Sequence, residues 1–173
     1  MHDPDILQGF TAVDRLRFTD AMRRAATTVA VVTTSGAAGR FGVTVSAVSS
    51  VSADPPSILV CVNVGSPVAD AIDRNGIFAV NLLDADQQEI SQIFAGRHPI
   101  TREDHLQSPA WGRLATGAPI LNGAAAAFDC RLAARMAFGT HLMLVGAVQD
   151  LDFAPDAPPL VYHDRNYFSV APL

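Results

Sequence analysis

The chain has 173 residues, of which 49% are hydrophobic and only 17% charged, with a net charge of −5. That length holds one well-filled core, and an acidic balance with no basic run and few aromatics argues against nucleic-acid binding. No apolar run reaches the length of a membrane span, and the acidic start MHDPDILQGF lacks the apolar stretch of a signal peptide, so the chain reads as soluble and cytoplasmic. The low charged fraction also fits a chain that hides surface in an oligomer. Residues 1–10 read as a loose arm. Thr11 to Ala26 reads as a helix, with Thr11 and Asp14 in capping-box spacing and Leu16, Phe18, Met22 and Ala26 available for packing. Thr27–Thr34, TTVAVVTT, is a β-branched strand, and Ser35–Arg40 a glycine-containing hairpin turn.

From Gly42 to Ser52 the small or polar residues fall mostly on even positions (Gly42, Thr44, Ser46, Ser50, Ser52) and the apolar ones on odd positions (Val43, Val45, Ala47, Val51). Val48 and Ser49 break the pattern. Period-two alternation puts hydroxyls on one face of a strand and aliphatic packing on the other. Small hydroxyl residues leave room beside the backbone for a flat, polar-edged ligand, although an ordinary half-exposed strand shows the same alternation. After a Pro-Pro turn, Ser57–Val62 forms the next strand. Ser66-Pro67 then opens SPVADAIDRNG, with Ser66 a natural N-cap, Pro67 suited to the first helical position and Gly76 to the left-handed stop. A helix N-terminus presents unpaired N–H groups and the positive end of the macrodipole, which favours phosphate. Asn63, just before the cap, adds an amide donor. Hydroxyl strand, turn, strand and anion-receiving helix together point to a phosphorylated ligand with a flat head group.

Ile77–Leu83 is another strand, and Asp84 opens a helix, DADQQEISQIFAG, with Gln87 three residues after the cap and Gly96 at the stop. Residues 97–119 read as a long surface excursion holding Trp111 and one short helix at Arg102–Gln107. An excursion of that length is usually functional or a subunit contact. The last third is β-rich, with strands at Ala124–Ala134, Thr140–Phe153, Leu160–Tyr162 and Tyr167–Val170. Strands joined by hairpin-length turns predict a mainly β fold, an antiparallel barrel with a few peripheral helices. No GxGxxG follows the first strand, which leaves a Rossmann fold without support. Cys61 and Cys130 read as buried free thiols. The spacings of His98, Glu103, Asp104 and His105 match no strong metal motif, so no metal site is expected.

The run TVSAVSSVSADPPSILVCVN, followed by NGIFAVNLL at 75–83, resembles the flavin reductase family that supplies reduced flavin to two-component monooxygenases. FTDAMRRAATTVAVVTT precedes it, and Gly139-Thr140-His141 and HDRNYF at 163–168 follow, so the similarity runs from Phe18 to Phe168. The resemblance implies a Greek-key split β-barrel of the flavin-reductase or FMN-binding type, a single domain over 1–173, with flavin bound near a homodimer interface. It implies hydride transfer from NADH or NADPH to FMN, with FAD possible, and delivery of reduced flavin to a partner monooxygenase. Such a transfer needs alignment, electrostatics and exclusion of water, not a catalytic triad. On that resemblance the amides of Val45, Ser46 and Ala47, with the Thr44 and Ser46 hydroxyls, would stabilise charge growing on the reduced ring. Ser50 and Ser52 would serve the ribityl chain, and Asn63, Ser66 and the helix amides the phosphate. His141 matches the histidine of the family's Gly-Asp-His motif, on the nicotinamide side, with Thr140 in place of the aspartate. Arg165 and Tyr167 would lie against the flavin or nicotinamide, and Phe94 to Arg97 would cover the ring or bind an adenylate tail.

Thr140 keeps an alternative open: a flavin-binding or flavin-carrying protein without efficient nicotinamide turnover. An oxidase of the pyridoxamine-phosphate type would need basic residues around a substrate phosphate, and these are not evident.

Overall fold

A computed structural model of the protein describes residues 12–172; the expected arm at 1–10 and the Thr11 cap lie outside the described residues. The first helix, α1 (Arg15–Met22), is shorter than the pattern predicts. Asp14 caps it, its carboxylate accepting from the Leu16 and Arg17 amides at 2.9 and 3.1 Å. Contrary to expectation α1 buries none of its residues, and Leu16, Phe18 and Met22 stay exposed. Positions two apart on a helix do not share a face, so Leu16 and Phe18 cannot form one packing stripe.

The predicted strand at 27–34 is divided at Val29 between β1 (Thr27–Thr28) and β2 (Ala30–Gly36), which join different sheets. Ala30 and Val32 face one core cluster and Val31 another, so β2 is buried on both sides and reads as a continuous apolar run. After a tight hairpin come β3 (Gly39–Val45), β4 (Val48–Ala53) and β5 (Pro56–Asn63), then α2 (Pro67–Asn75) and β6 (Ile77–Leu82). A short 3-10 turn (Ala85–Gln87) leads into α3 (Gln88–Phe94), and the excursion holds α4 (Arg102–Leu106) and the pair β7 (Trp111–Arg113) and β8 (Pro119–Leu121). Two long strands, β9 (Ala126–Phe138) and β10 (His141–Phe153), precede the hairpin β11 (Leu160–His163) and β12 (Asn166–Ser169).

Seven strands form one antiparallel sheet in the order β3-β2-β6-β9-β10-β5-β4. Its two edges, β3 and β4, are consecutive in the chain and are joined only by Ser46 and Ala47. The sheet therefore curls round until its edges meet, which is the expected barrel split along one seam. The interior is filled by alternate residues, such as Ile58, Val60 and Val62 of β5 and Leu142 and Leu144 of β10, with Val68 and Ile72 of α2 packed on them. Gly146 continues the β10 row because a Cβ there would stand 2.6 Å from the Phe78 ring and 2.7 Å from Cys130 Cβ.

The 42–52 alternation is not one strand. The chain bends at Ser46–Ala47, and Val45 and Val48, three residues apart, both pack against the barrel core. The bend shifts the phase by one residue, which is why Val48 and Ser49 break the alternation. Ser50, predicted to share a face with Thr44, instead lies opposite Ile58 on the core side of β4, and Val51 is bulged between Ser50 and Ser52.

A second core lies outside the barrel under α3, α4 and the β7–β8 pair, built from Val31, Leu83, Ile93, Phe94, Leu106 and Trp111. The excursion is pinned by buried polar groups. Asn81 donates to the Val31 carbonyl at 3.0 Å and accepts from the Leu121 amide at 2.8 Å, while Thr33 donates to the Pro119 carbonyl at 2.6 Å. Buried Asp129 accepts from both the amide and the hydroxyl of Thr116.

Within this core Trp111, the only tryptophan, donates through Nε1 to His105 Nδ1 at 3.1 Å, and both rings pack edge-on against Phe94. Burial pushes the His105 imidazole below its ordinary value, with Glu89 opposing and His98 adding to the shift. A base whose folded value is depressed contributes stability that is complete above about pH 6.5 and is lost as pH falls through the folded value. Thermal melts from pH 7.5 to 5 should show an acid loss of Tm that shrinks in His105→Asn, whose oxygen can still accept from Trp111. An unchanged acid slope in that variant would assign the loss to other groups.

Candidate functional site

At the seam the backbone leaves the hydrogen-bonded ladder. Ser46 and Ala47 are exposed, and neither amide donates to a protein group among the described residues, whereas the Ala47 carbonyl accepts from the Cys61 amide at 3.1 Å. Just before the bend, Val45 is buried in the barrel, and Thr44 points the other way and donates its hydroxyl to the Ser91 carbonyl of α3 at 2.8 Å. Thr44 is thus first a strut between β3 and α3. The seam's free donors are backbone amides, as the sequence reading anticipates for Ser46 and Ala47.

Across the seam stand the end of β5 and the start of β10, where Asn63 pairs with His141. Asn63 forms a tight turn, its side-chain oxygen accepting from the Gly65 amide at 2.8 Å and its backbone carbonyl from the Ser66 amide at 2.9 Å. Its side-chain NH₂ remains available. Ser66 occupies the N-cap position of α2 in extended geometry, with Pro67 following and Gly76 ending the helix at a φ of 70°. Its side chain makes no cap bond, contrary to the usual role of serine there, and Oγ is buried without a partner. Pro67 has no N–H and the Ala69 amide donates to the Ser66 carbonyl at 3.0 Å, which leaves the Val68 amide beside this hydroxyl. An unpaired buried hydroxyl is costly unless a partner such as an anion meets it.

His141 is exposed, and its Nδ1 lies 3.0 Å from the Thr140 hydroxyl. The Thr140 carbonyl accepts from the Val64 amide at 3.0 Å, so one residue ties the histidine to the turn before α2. A hollow of about 230 Å³ between these elements is lined by Thr44, Val45, Ser46, Ala47, Asn63 and His141, six of the residues singled out in the sequence. Cys61 shares its wall, half-buried, with its thiol pushed up by burial. Cys130 is buried in the core, and burial and then Asp129 raise its thiol to about 12, so neither cysteine is an activated nucleophile.

Arg165 and Tyr167 reach the same region from the C-terminal hairpin. Asp164 and Arg165 form its turn with φ of 45° and 66°, the left-handed pair of a two-residue hairpin. Tyr167 OH lies 2.9 Å from buried Ser91 Oγ, and its ring packs edge-on against Tyr162 at 5.3 Å. Tyr167 lines a hollow with Thr44 and Ser46 and a second, polar one with Gln88, Gln92, Arg97 and Arg165. The hollows share walls and form one furrow along the seam, past the end of α3.

Ser50 and Ser52 are not brought to this furrow. They line a separate groove with Ile58, Leu82, Phe128, Val148 and Leu151, and the Ser52 hydroxyl is engaged with the backbone of Asp54. The phase shift at the seam carries Ser50 away. Sequence reasoning missed Ser91 and Tyr162. Ser91 carries a signal, a lone hydroxyl one helical turn from both Gln88 and Phe94; Tyr162 carries none beyond its closeness to HDRNYF. No group of three or more metal-ligating side chains occurs among the described residues, nor any helix long and apolar enough to cross a membrane.

Residues 22–171 match the family described as flavin reductase like domain. The chain is 42% identical over 160 residues to "FMN reductase (NADH) RutF" of Ancylobacter novellus, covering 92% of this chain and 87% of that one. It is 36% identical over 156 residues to the 4-hydroxyphenylacetate 3-monooxygenase reductase component of Salmonella typhimurium, covering 90% and 92%. The crystal structure of BorF, the flavin reductase component of a bacterial two-component tryptophan halogenase, superimposes with a TM-score of 0.84 at 32% identity, covering 92% of this chain and all of that one. A match over nearly the whole length, on a split barrel with these residues at its seam, places the chain in the flavin reductase family.

Proposed function

We propose that this chain is an NADH-dependent FMN reductase that hands reduced flavin to a separate flavin-dependent monooxygenase. The observation that carries the reading is the convergence at one seam of uncommitted backbone amides, an anion-ready helix start with an orphaned serine hydroxyl, and His141. The residues fit a flavin mononucleotide. Ser66 Oγ, the Asn63 NH₂ and the Val68 amide at the start of α2 would hold the phosphate. The Ser46 and Ala47 amides would face the polar edge of the ring, and Thr44 would keep that edge fixed to α3. Bound flavin supplies the acceptor for a hydride, two electrons and a proton, from the reduced nicotinamide. The amides stabilise the charge that arrives with it.

His141 is a positioning group on the nicotinamide side. The Thr140 hydroxyl, 3.0 Å from Nδ1, orients its imidazole, so the histidine keeps a defined direction. That bond favours a reductase over a mere flavin carrier. Arg165 and Tyr167, with Arg97, line the polar end of the furrow, suited to the phosphates of a dinucleotide. The hollows at the seam, about 230 and 180 Å³, are small and open, which supports a site completed by a second copy of the chain. The Ser50–Ser52 groove, with exposed Val51, Leu151 and Phe153, offers the apolar surface such a homodimer would cover. Use of NADH and the delivery of its product to another soluble enzyme suit a cytoplasmic location.

The first test is NADH oxidation by purified protein with and without FMN, and rapid, FMN-dependent consumption is expected. FMN binding without turnover would instead select the carrier reading. Ser46→Leu places a branched side chain where the ring edge would sit and should weaken FMN binding by roughly tenfold or more, read by quenching of flavin fluorescence. Unchanged affinity would remove Ser46 from the site. His141→Ala should raise KM for NADH about three- to tenfold while the FMN requirement moves less than about twofold. Equal effects on both substrates would argue against its placement.

A further inference from the structure

α3 is tied to both sides of the furrow through one residue. Ser91 is fully buried at the middle of the helix. Its backbone carbonyl accepts the Thr44 hydroxyl at 2.8 Å in addition to the Ala95 amide at 2.9 Å, and its side-chain hydroxyl meets Tyr167 OH at 2.9 Å. Thr44 belongs to the strand that ends at the seam. Tyr167 belongs to the C-terminal hairpin and stands in the wall between the Thr44–Ser46 hollow and the polar hollow of Arg97 and Arg165.

We propose that Ser91 is a positioning residue for hydride transfer, fixing the Tyr167 wall relative to the flavin strand and so setting the register of the dinucleotide against the ring. The proposal rests on the reductase reading. Its physical basis is the difference between the two ties. The tie to Thr44 uses the main chain and survives any side-chain change at position 91, whereas the tie to Tyr167 uses the hydroxyl alone. Without it, the Tyr167 hydroxyl has no partner among the described residues, and the ring is held by packing on Tyr162 and the second core while the backbone stays in the β11–β12 ladder. Loss of the hydroxyl therefore frees the nicotinamide side of the furrow and leaves the flavin side in place. A hydride donor needs its reacting carbon within about 3–3.5 Å of the acceptor, so a small drift of that wall is felt in the rate.

The test is a double-mutant cycle on Ser91→Ala and Tyr167→Phe in the full chain. Each single variant should lower kcat/KM for NADH by roughly tenfold, with the Kd for FMN changed by less than about twofold. The double variant should be no worse than either single, because both remove the same hydrogen bond. Effects on NADH that multiply, or a Ser91→Ala variant whose Tm falls while kcat/KM for NADH is unchanged, would overturn the proposal and leave Ser91 a structural residue. If the unmutated protein binds FMN but oxidises no NADH, the reductase reading fails. In that case the cycle is read on the Kd for NADH of the FMN-loaded protein, where effects of the two substitutions that simply add would also reject the role of Ser91.

Discussion

Two residues, Ser46 and Ala47, join strands that lie at opposite edges of a seven-stranded antiparallel sheet, so the sheet has to curl until those edges come together. An edge strand carries a row of unpaired amides and carbonyls, and proteins ordinarily cover or blunt it. Here the two-residue link is not a hairpin: β3 and β4 do not pair with each other, and the backbone at the bend stays exposed. The consequence is a seam with free amide donors, fixed in direction by the barrel on both sides. Donors held rigidly by a scaffold lose little on reorganisation when charge arrives, which is what an acceptor of hydride requires. The proposed flavin site is in this sense a by-product of closing the barrel with a two-residue link.

The seam would be loose without the second core. Phe94, Trp111 and His105 pack edge to edge beneath α4, and a Cβ on Gly42 would stand 2.5 Å from the Phe94 ring, so α3 lies directly on β3. The excursion at 97–119 reads in sequence as a functional loop or subunit contact. In the structure its buried residues Leu106, Trp111 and Ala118 and the bonds of Thr33 and Asp129 anchor it to the protein, so that it also braces α3 against β3. Packing outside the barrel thus reaches the site through Thr44 and Ser91, and of the excursion Arg97 lines the furrow itself.

Elements marked by punctuation were legible from residues alone. Pro67 and Gly76 bound α2, and Asp84 with Gln87 makes the capping box that starts the next helical segment. The barrel followed from hairpin-length turns, and its split form and ligand from the resemblance. What the residues hid is instructive. The phase shift at the seam was visible as two exceptions, Val48 and Ser49, but period-two reading treats exceptions as noise, so Ser50 was carried onto the wrong face. Ser66 sits where a serine normally caps its own helix, and nothing local distinguishes a capping hydroxyl from one left unpaired. Ser91 depends on partners 47 and 76 positions away, a separation at which no local pattern operates.

Charge distribution completes the account. The chain as a whole is acidic, at −5, yet both substrates of the proposed reaction are phosphorylated anions. The cations are placed where they matter: Arg97 and Arg165 line the polar hollow, and Arg15 and Arg23 stand with Arg165 around its neighbour. Arg23 is partly neutralised by Asp20 at 3.0 Å, whereas neither Arg97 nor Arg165 has a carboxylate partner among the described residues. Within a Debye length of about 8 Å these arginines offset the net acidity of the chain near the furrow. The same arrangement assists release. A furrow open to solvent screens each arginine, so under the proposed function phosphate would be held by several weak contacts and not one strong one, as would suit a flavin passed on to another enzyme.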